Sequence, residues 1–183
     1  MDNFNMNDKV DLQILSRQME VLLHASEAPL TDDDLIHLLT ISDDTFSQVL
    51  STLKERLTDG VLELVKTASG YRLQIANQFS ALIQQVFPQR QENLSQALLE
   101  TLSVIAYKQP VTRGDIEQIR GVTVSSNILR QLFDKGWIEE RGFKDTIGRP
   151  ALLHTTDEFL DAFGLTHLDE LPPMPALTES KPG

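Results

Sequence analysis

Residues 29–35, PLTDDDL, and residues 110–116, PVTRGDI, are the two stretches on which the fold turns. In each, a threonine stands three residues ahead of an aspartate, the form of a capping box, in which both side chains accept from free N–H groups at the start of a helix. A preceding proline ends whatever comes before, and an apolar residue follows at once. The two stretches lie 81 residues apart, so one helix start is written twice in the chain.

Working outward, the same order of elements surrounds both. Ahead of the first lie Leu12, Leu15, Met19, Leu22 and Leu23 at helical spacing; after its short helix, Ser42 caps a third helix with the stripe Phe46, Val49, Leu50, Leu53 and Leu57, which ends at Asp59-Gly60. VLELV at 61–65, a Thr67–Gly70 break and the alternating Tyr71, Leu73 and Ile75 predict a hairpin, and Phe79 to Val86 return to helical spacing. Around the second stretch, Leu94, Leu98, Leu102 and Ile105 predict a helix, and Ile128, Leu129, Leu132 and Phe133 another. Residues 137–140 and 151–154 read as strands about a Gly-rich turn, before a last helix with Phe159, Leu160 and Phe163. The expected fold is therefore mainly α with small β-hairpins, as two tandem winged helix-turn-helix domains. The expected boundaries are 1–87 and 94–165, a linker at 88–93, and a proline-rich, extended and partly mobile tail at 166–183 whose Leu168, Leu171 and Met174 offer an apolar edge.

Composition limits what such domains can do. The 183 residues carry 16 Lys+Arg against 27 Asp+Glu, a net charge of −11, with 40% hydrophobic residues and no cysteine. Disulfides, thiolate metal sites and cysteine nucleophiles are excluded. The N-terminus lacks the pattern of a secretory signal, and no apolar run reaches the roughly 18 residues that cross a bilayer, so the expectation is a cytoplasmic protein with no membrane partner. Residues 1–93 hold 7 basic and 14 acidic side chains and residues 94–165 hold 8 and 10, which places any nucleic-acid surface in the second half.

Catalysis finds little support. The acids at 32–34 and 43–44 stand at helix starts, where they favour the helix dipole, and His24, His37, His154 and His167 have no ligand spacing. No phosphate-binding loop or nucleophile motif is present, so no enzyme, metal or cofactor is expected. The dense stretch is Arg141 to Pro150 at the second hairpin, where Arg141, Phe143, Lys144 and Arg149 are candidate contacts to a partner or to DNA. A purely structural turn, with Asp145 pairing a neighbouring cation, reads equally well. Arg113, Arg120 and Arg130 form a candidate helix surface in the second domain, and Leu12, Leu15, Met19 and Leu22 a candidate homodimer surface in the first unless that stripe packs inside its own domain.

Four segments carry a family resemblance: AYKQPVTRGDIEQIRGV at 106–122, FKDTIGRP at 143–150, TTDEFLDAFGL at 155–165 and LDELPPMP at 168–175. In order and spacing they resemble segregation and condensation protein B, the bacterial winged-helix subunit that accompanies the chromosome-structuring SMC ATPase. Two places depart from the family: Phe143 stands where a basic residue is common, and the loop at 122–126 lacks the usual asparagine. The resemblance implies a nucleoid-associated subunit without enzymatic activity. It further implies self-association through the N-terminal domain, binding to the kleisin segregation and condensation protein A, contact with the SMC ATPase through that kleisin, and weak or indirect contact with DNA. A tandem winged-helix transcription regulator is the alternative, and a continuous basic face is what would favour it.

Overall fold

The structure is a computed structural model in which residues 6–87 and 94–173 are described, with side chains from residue 11. The expected linker at 88–93 and the tail beyond residue 173, Met174 included, lie outside the described residues. The chain divides into two compact units, Met1–Glu92 and Asn93–Gly183.

The first unit runs α1 (Met6–Ala25), α2 (Asp32–Leu39), α3 (Asp43–Leu57), β1 (Leu62–Thr67), β2 (Gly70–Ile75), a 3-10 turn at Asn77–Phe79 and α4 (Ser80–Val86). The second runs α5 (Gln96–Lys108), α6 (Arg113–Arg120), α7 (Ser126–Asp134), β3 (Ile138–Phe143), β4 (Ala151–Thr155) and α8 (Asp157–Phe163), followed by a 3-10 turn at Leu168–Glu170. Two small antiparallel hairpins among helices make the architecture mainly α. Both capping boxes form. The Asp34 amide donates to Thr31 Oγ1 at 3.1 Å while the Thr31 amide donates back to the carboxylate at 3.0 Å, and Asp115 and Thr112 repeat the exchange at 3.2 and 2.9 Å. Ser42, Ser95, Ser125 and Thr156 cap α3, α5, α7 and α8, so local chemistry sets most of the helix starts.

Each unit has its own core. Met19, Leu23, Leu35, Phe46, Val49, Leu53 and Tyr71 are buried together in the first, and Leu98, Leu102, Ile105, Ile116, Leu132, Leu153 and Phe159 in the second. Burial of each such side chain stabilises by about 1.5–3 kcal/mol relative to exposure. The residue after the proline of each fold-deciding stretch joins the sheet: Leu30 and Tyr71 exchange amide bonds of 2.9 and 2.7 Å, as Val111 and Leu153 do at 3.3 and 2.8 Å. Chain and hairpin come so close at the first bridge that a Cβ on Gly70 would lie 2.4 Å from the Leu30 carbonyl oxygen.

Two expectations need correction. β3 continues to Phe143 through an irregularity between Glu140 and Phe143, so Arg141 and Phe143 belong to the strand rather than to the turn. The start of the tail is not an extended, loose segment. Leu165, Leu168 and Leu171 pack against the second core, and Tyr107 donates its hydroxyl to the Pro172 carbonyl.

Candidate functional site

The second hairpin closes with Lys144 to Pro150. The loop is internally bonded: the Lys144 amide donates to Pro150 O, the Thr146 amide to Lys144 O and the Arg149 amide to Thr146 O, each at 2.9 Å. Gly148 at φ +86° turns the chain, and Arg149 itself sits at φ +39°, a left-handed conformation that a side-chain-bearing residue rarely adopts. Lys144 does not reach outward as a free cation. Its Nζ lies 2.7 Å from Asp115 Oδ1, while Asp115 Oδ2 serves the capping box of α6. The Lys144 ammonium first, then the Thr112 amide and hydroxyl, hold the Asp115 carboxyl at about 2, down from the ordinary 3.8. The acid that pairs the turn is thus Asp115 on α6 rather than Asp145. Arg149 lies over the Phe143 ring with its guanidinium carbon 5.8 Å from the centroid, and Arg141 pairs with Glu139 along its own strand.

The remaining candidate cations are also engaged. Arg120 is not a surface residue: its side chain is 7% exposed, and it donates to Glu100 at 2.7 Å and to Thr101 Oγ1 at 2.8 Å, clamping α6 to α5. Arg113 bonds Glu117 at 3.1 Å, Ser126 at 3.2 Å and the Val124 carbonyl, while Glu117 accepts the Val124 amide at 3.0 Å; together they fix the turn into α7. Arg130 stays exposed on α7, bonded to Asn127 at 3.1 Å. All six cations therefore have partners within their own unit. A phosphate contact by Arg120 or Lys144 requires an existing ion pair to open first.

In the first unit the predicted stripe turns inward. Met19 is fully buried, and Leu12, Leu15 and Leu22 are half-buried against the core of their own unit, so the stripe serves mainly that core. The apolar residues α1 and α2 do present are Ile14, Val21 and Leu38, 50%, 65% and 52% exposed, which line an open groove with Arg17, Gln18, Leu39 and the predicted Leu22. Ile14 and Val21 are seven residues apart, two helical turns, and that spacing was the available signal.

One further residue had no assigned role. Ile147, at the end of the second hairpin, is fully exposed, and Phe143 of the same hairpin is 61% exposed. Among the described residues no group of three or more His, Asp or Glu is placed to hold a metal ion, and no helix is long and apolar enough to cross a membrane. What the site can do chemically is present apolar and aromatic side chains on a fixed frame.

Residues 17–174 match the family model described as segregation and condensation complex subunit ScpB. The chain belongs to this family. It is 43% identical over 160 residues to the segregation and condensation protein B homolog of Coxiella burnetii, covering 85% of this chain and 77% of that protein. Segregation and condensation protein B of Clostridium tetani is 37% identical over 180 residues, covering 97% and 94%. Among solved structures, ScpB from Mycobacterium tuberculosis shares 31% identity over 85% of this chain and 98% of that one, at a TM-score of 0.39. The family resemblance seen in the four segments of the second half therefore extends over most of the chain.

Proposed function

We propose that this chain is a non-enzymatic subunit of the bacterial SMC-kleisin complex, which binds the kleisin segregation and condensation protein A and through it joins the SMC ATPase in condensing and partitioning the chromosome. Each unit is read as a winged helix-turn-helix domain, with α2 and α3, or α6 and α7, as the helix pair and the hairpin as the wing. One observation carries the choice of a protein partner over DNA: the six candidate cations of the second unit each have a partner within it, while apolar side chains stay exposed. An interface anchored by apolar and aromatic groups suits a protein chain; a DNA reader needs free cations. DNA contact is then weak or indirect, and the place of action is the cytoplasm, at the nucleoid.

Self-association belongs to the first unit, through the groove of Ile14, Val21 and Leu38 that Leu22 of the predicted stripe also lines. A second copy covering that groove removes apolar surface from water.

Co-purification with the kleisin's central segment, followed by light-scattering mass, tests partner and stoichiometry together. A stable complex containing two copies of this chain is the expected result. Failure to bind the kleisin, with tight and strongly salt-dependent binding to duplex DNA, would instead make the protein a transcription regulator. A monomer mass at tens of micromolar in the absence of kleisin would remove the dimer.

A further inference from the structure

Ile147 is fully exposed, and it does not pack into its own unit's core. A branched apolar side chain at the end of a polar turn leaves its hydrophobic contribution unused by its own unit. The frame beneath it is fixed. Three backbone bonds of 2.9 Å close the loop, and the Lys144–Asp115 pair at 2.7 Å ties the loop's base to the start of α6. In the same hairpin Phe143, 61% exposed, carries the Arg149 guanidinium over its ring. Arg149 occupies a backbone conformation that glycine adopts freely, at a turn that already uses glycine at the preceding position. That conformation costs the fold and gives the side chain a position over Phe143.

From this geometry we infer that the second hairpin is a preorganised knob, in which Ile147 is the anchor and the Phe143–Arg149 pair its charged shoulder. Its partner is a protein presenting an apolar socket with a carboxylate rim. The inference rests on the proposed function and adds to it the residue that carries the contact and the chemistry of the surface it enters. Charge complementarity points to this occupant. The exposed cation of the knob is Arg149, which selects an acidic rim, whereas Lys144 is already neutralised by Asp115 and adds nothing to the attraction of a phosphate backbone. Little ordering cost opposes docking, because the loop already holds one shape.

The test is a calorimetric titration of the full chain with segregation and condensation protein A, using the wild type, Ile147→Ser, Ile147→Leu and Arg149→Gln. Ile147→Ser is expected to weaken binding by at least about tenfold, with an unchanged melting temperature because the side chain touches no core. Ile147→Leu restores most of the affinity, since only an apolar group of that size is required. Arg149→Gln weakens binding by a smaller factor and reduces its salt dependence. Kleisin binding by the wild type with equal affinity for Ile147→Ser would overturn the knob and leave the proposed function standing. No binding by the wild type would remove both. An affinity for duplex DNA that depends on Arg149 and not on Ile147 would make the loop a nucleic-acid contact and also overturn the inference.

Discussion

The two hairpins of this chain start from one plan and end differently. The first closes with two small residues, Ala68 and Ser69, its register unbroken from Leu62↔Ile75 to Thr67↔Gly70, and Gly70 lies against the Leu30 backbone. The second breaks register before Phe143 and extends through Lys144 to Pro150, with Phe143 and Ile147 in solvent. Beneath both hairpins the supports correspond. A lysine of each reaches an acid in the first turn of the unit's second helix, Lys66 to Asp32 at 3.5 Å and Lys144 to Asp115 at 2.7 Å. An arginine in each unit bonds a glutamate and a hydroxyl on the unit's first helix, Arg56 to Glu20 and Ser16, Arg120 to Glu100 and Thr101. The difference is concentrated at the tips, where the first hairpin is built to pack and the second to present side chains.

The sharpest way to break this comparison is to place the same methyl group in each hairpin. Gly70→Ala puts a Cβ into the Leu30 backbone at φ +135° and is expected to cost about 3 kcal/mol or more, enough to unfold much of the first unit. Gly142→Ala meets nothing within 4 Å and carries only the left-handed backbone penalty, about 1–2 kcal/mol. Thermal melts of both variants check the contrast, and equal losses would mean the hairpins are not built differently.

A smaller effect is expected at the strap that follows α8. Truncation after Leu165 removes Leu168 and Leu171 from the second core and the Tyr107 bond to Pro172, and should lower stability by about 2 kcal/mol. Hydrogen exchange should show faster opening in α5 while the first unit is unchanged; unaltered exchange in α5 would mean that the strap is not part of the second unit's support.

The smallest effect concerns the Lys144–Asp115 pair. The folded Asp115 carboxyl at about 2 lies below its ordinary 3.8, so its contribution is fully present above pH about 4 and is lost as pH falls through about 2. Asp115→Asn keeps an acceptor for the Thr112 amide but loses the Lys144 ion pair, and is expected to cost about 1 kcal/mol or less at neutral pH and to flatten this acid-dependent loss. Acid titrations of both proteins followed by circular dichroism compare the slopes, and parallel curves would show that the Lys144–Asp115 pair contributes nothing.

Much of this architecture was legible in the sequence because its signals are local. Thr31 with Asp34 and Thr112 with Asp115 announce helix starts within four residues, and the alternation at Tyr71, Leu73 and Ile75 announces a strand. The direction in which α1 faces was not legible. Leu12, Ile14, Leu15, Met19, Val21, Leu22 and Leu23 wrap more than one side of a helix, and only packing shows which of them are covered. Lys144 looked free because Asp115 is 29 residues away, and Arg120 looked exposed because Glu100 and Thr101 lie on another helix. The prolines after Gly164 suggested an extended tail, yet Leu168 and Leu171 are three residues apart, the period of the 3-10 turn that brings both to the core.

The most direct test of the central claim, that this chain binds a protein rather than DNA, is a titration of labelled protein with the kleisin and with duplex DNA as salt rises from about 50 mM to about 200 mM. The account predicts kleisin binding whose affinity changes by less than about tenfold over that range, with DNA binding weak throughout. It would be contradicted by DNA binding that is tight at low salt and falls by about a thousandfold or more, with no binding to the kleisin.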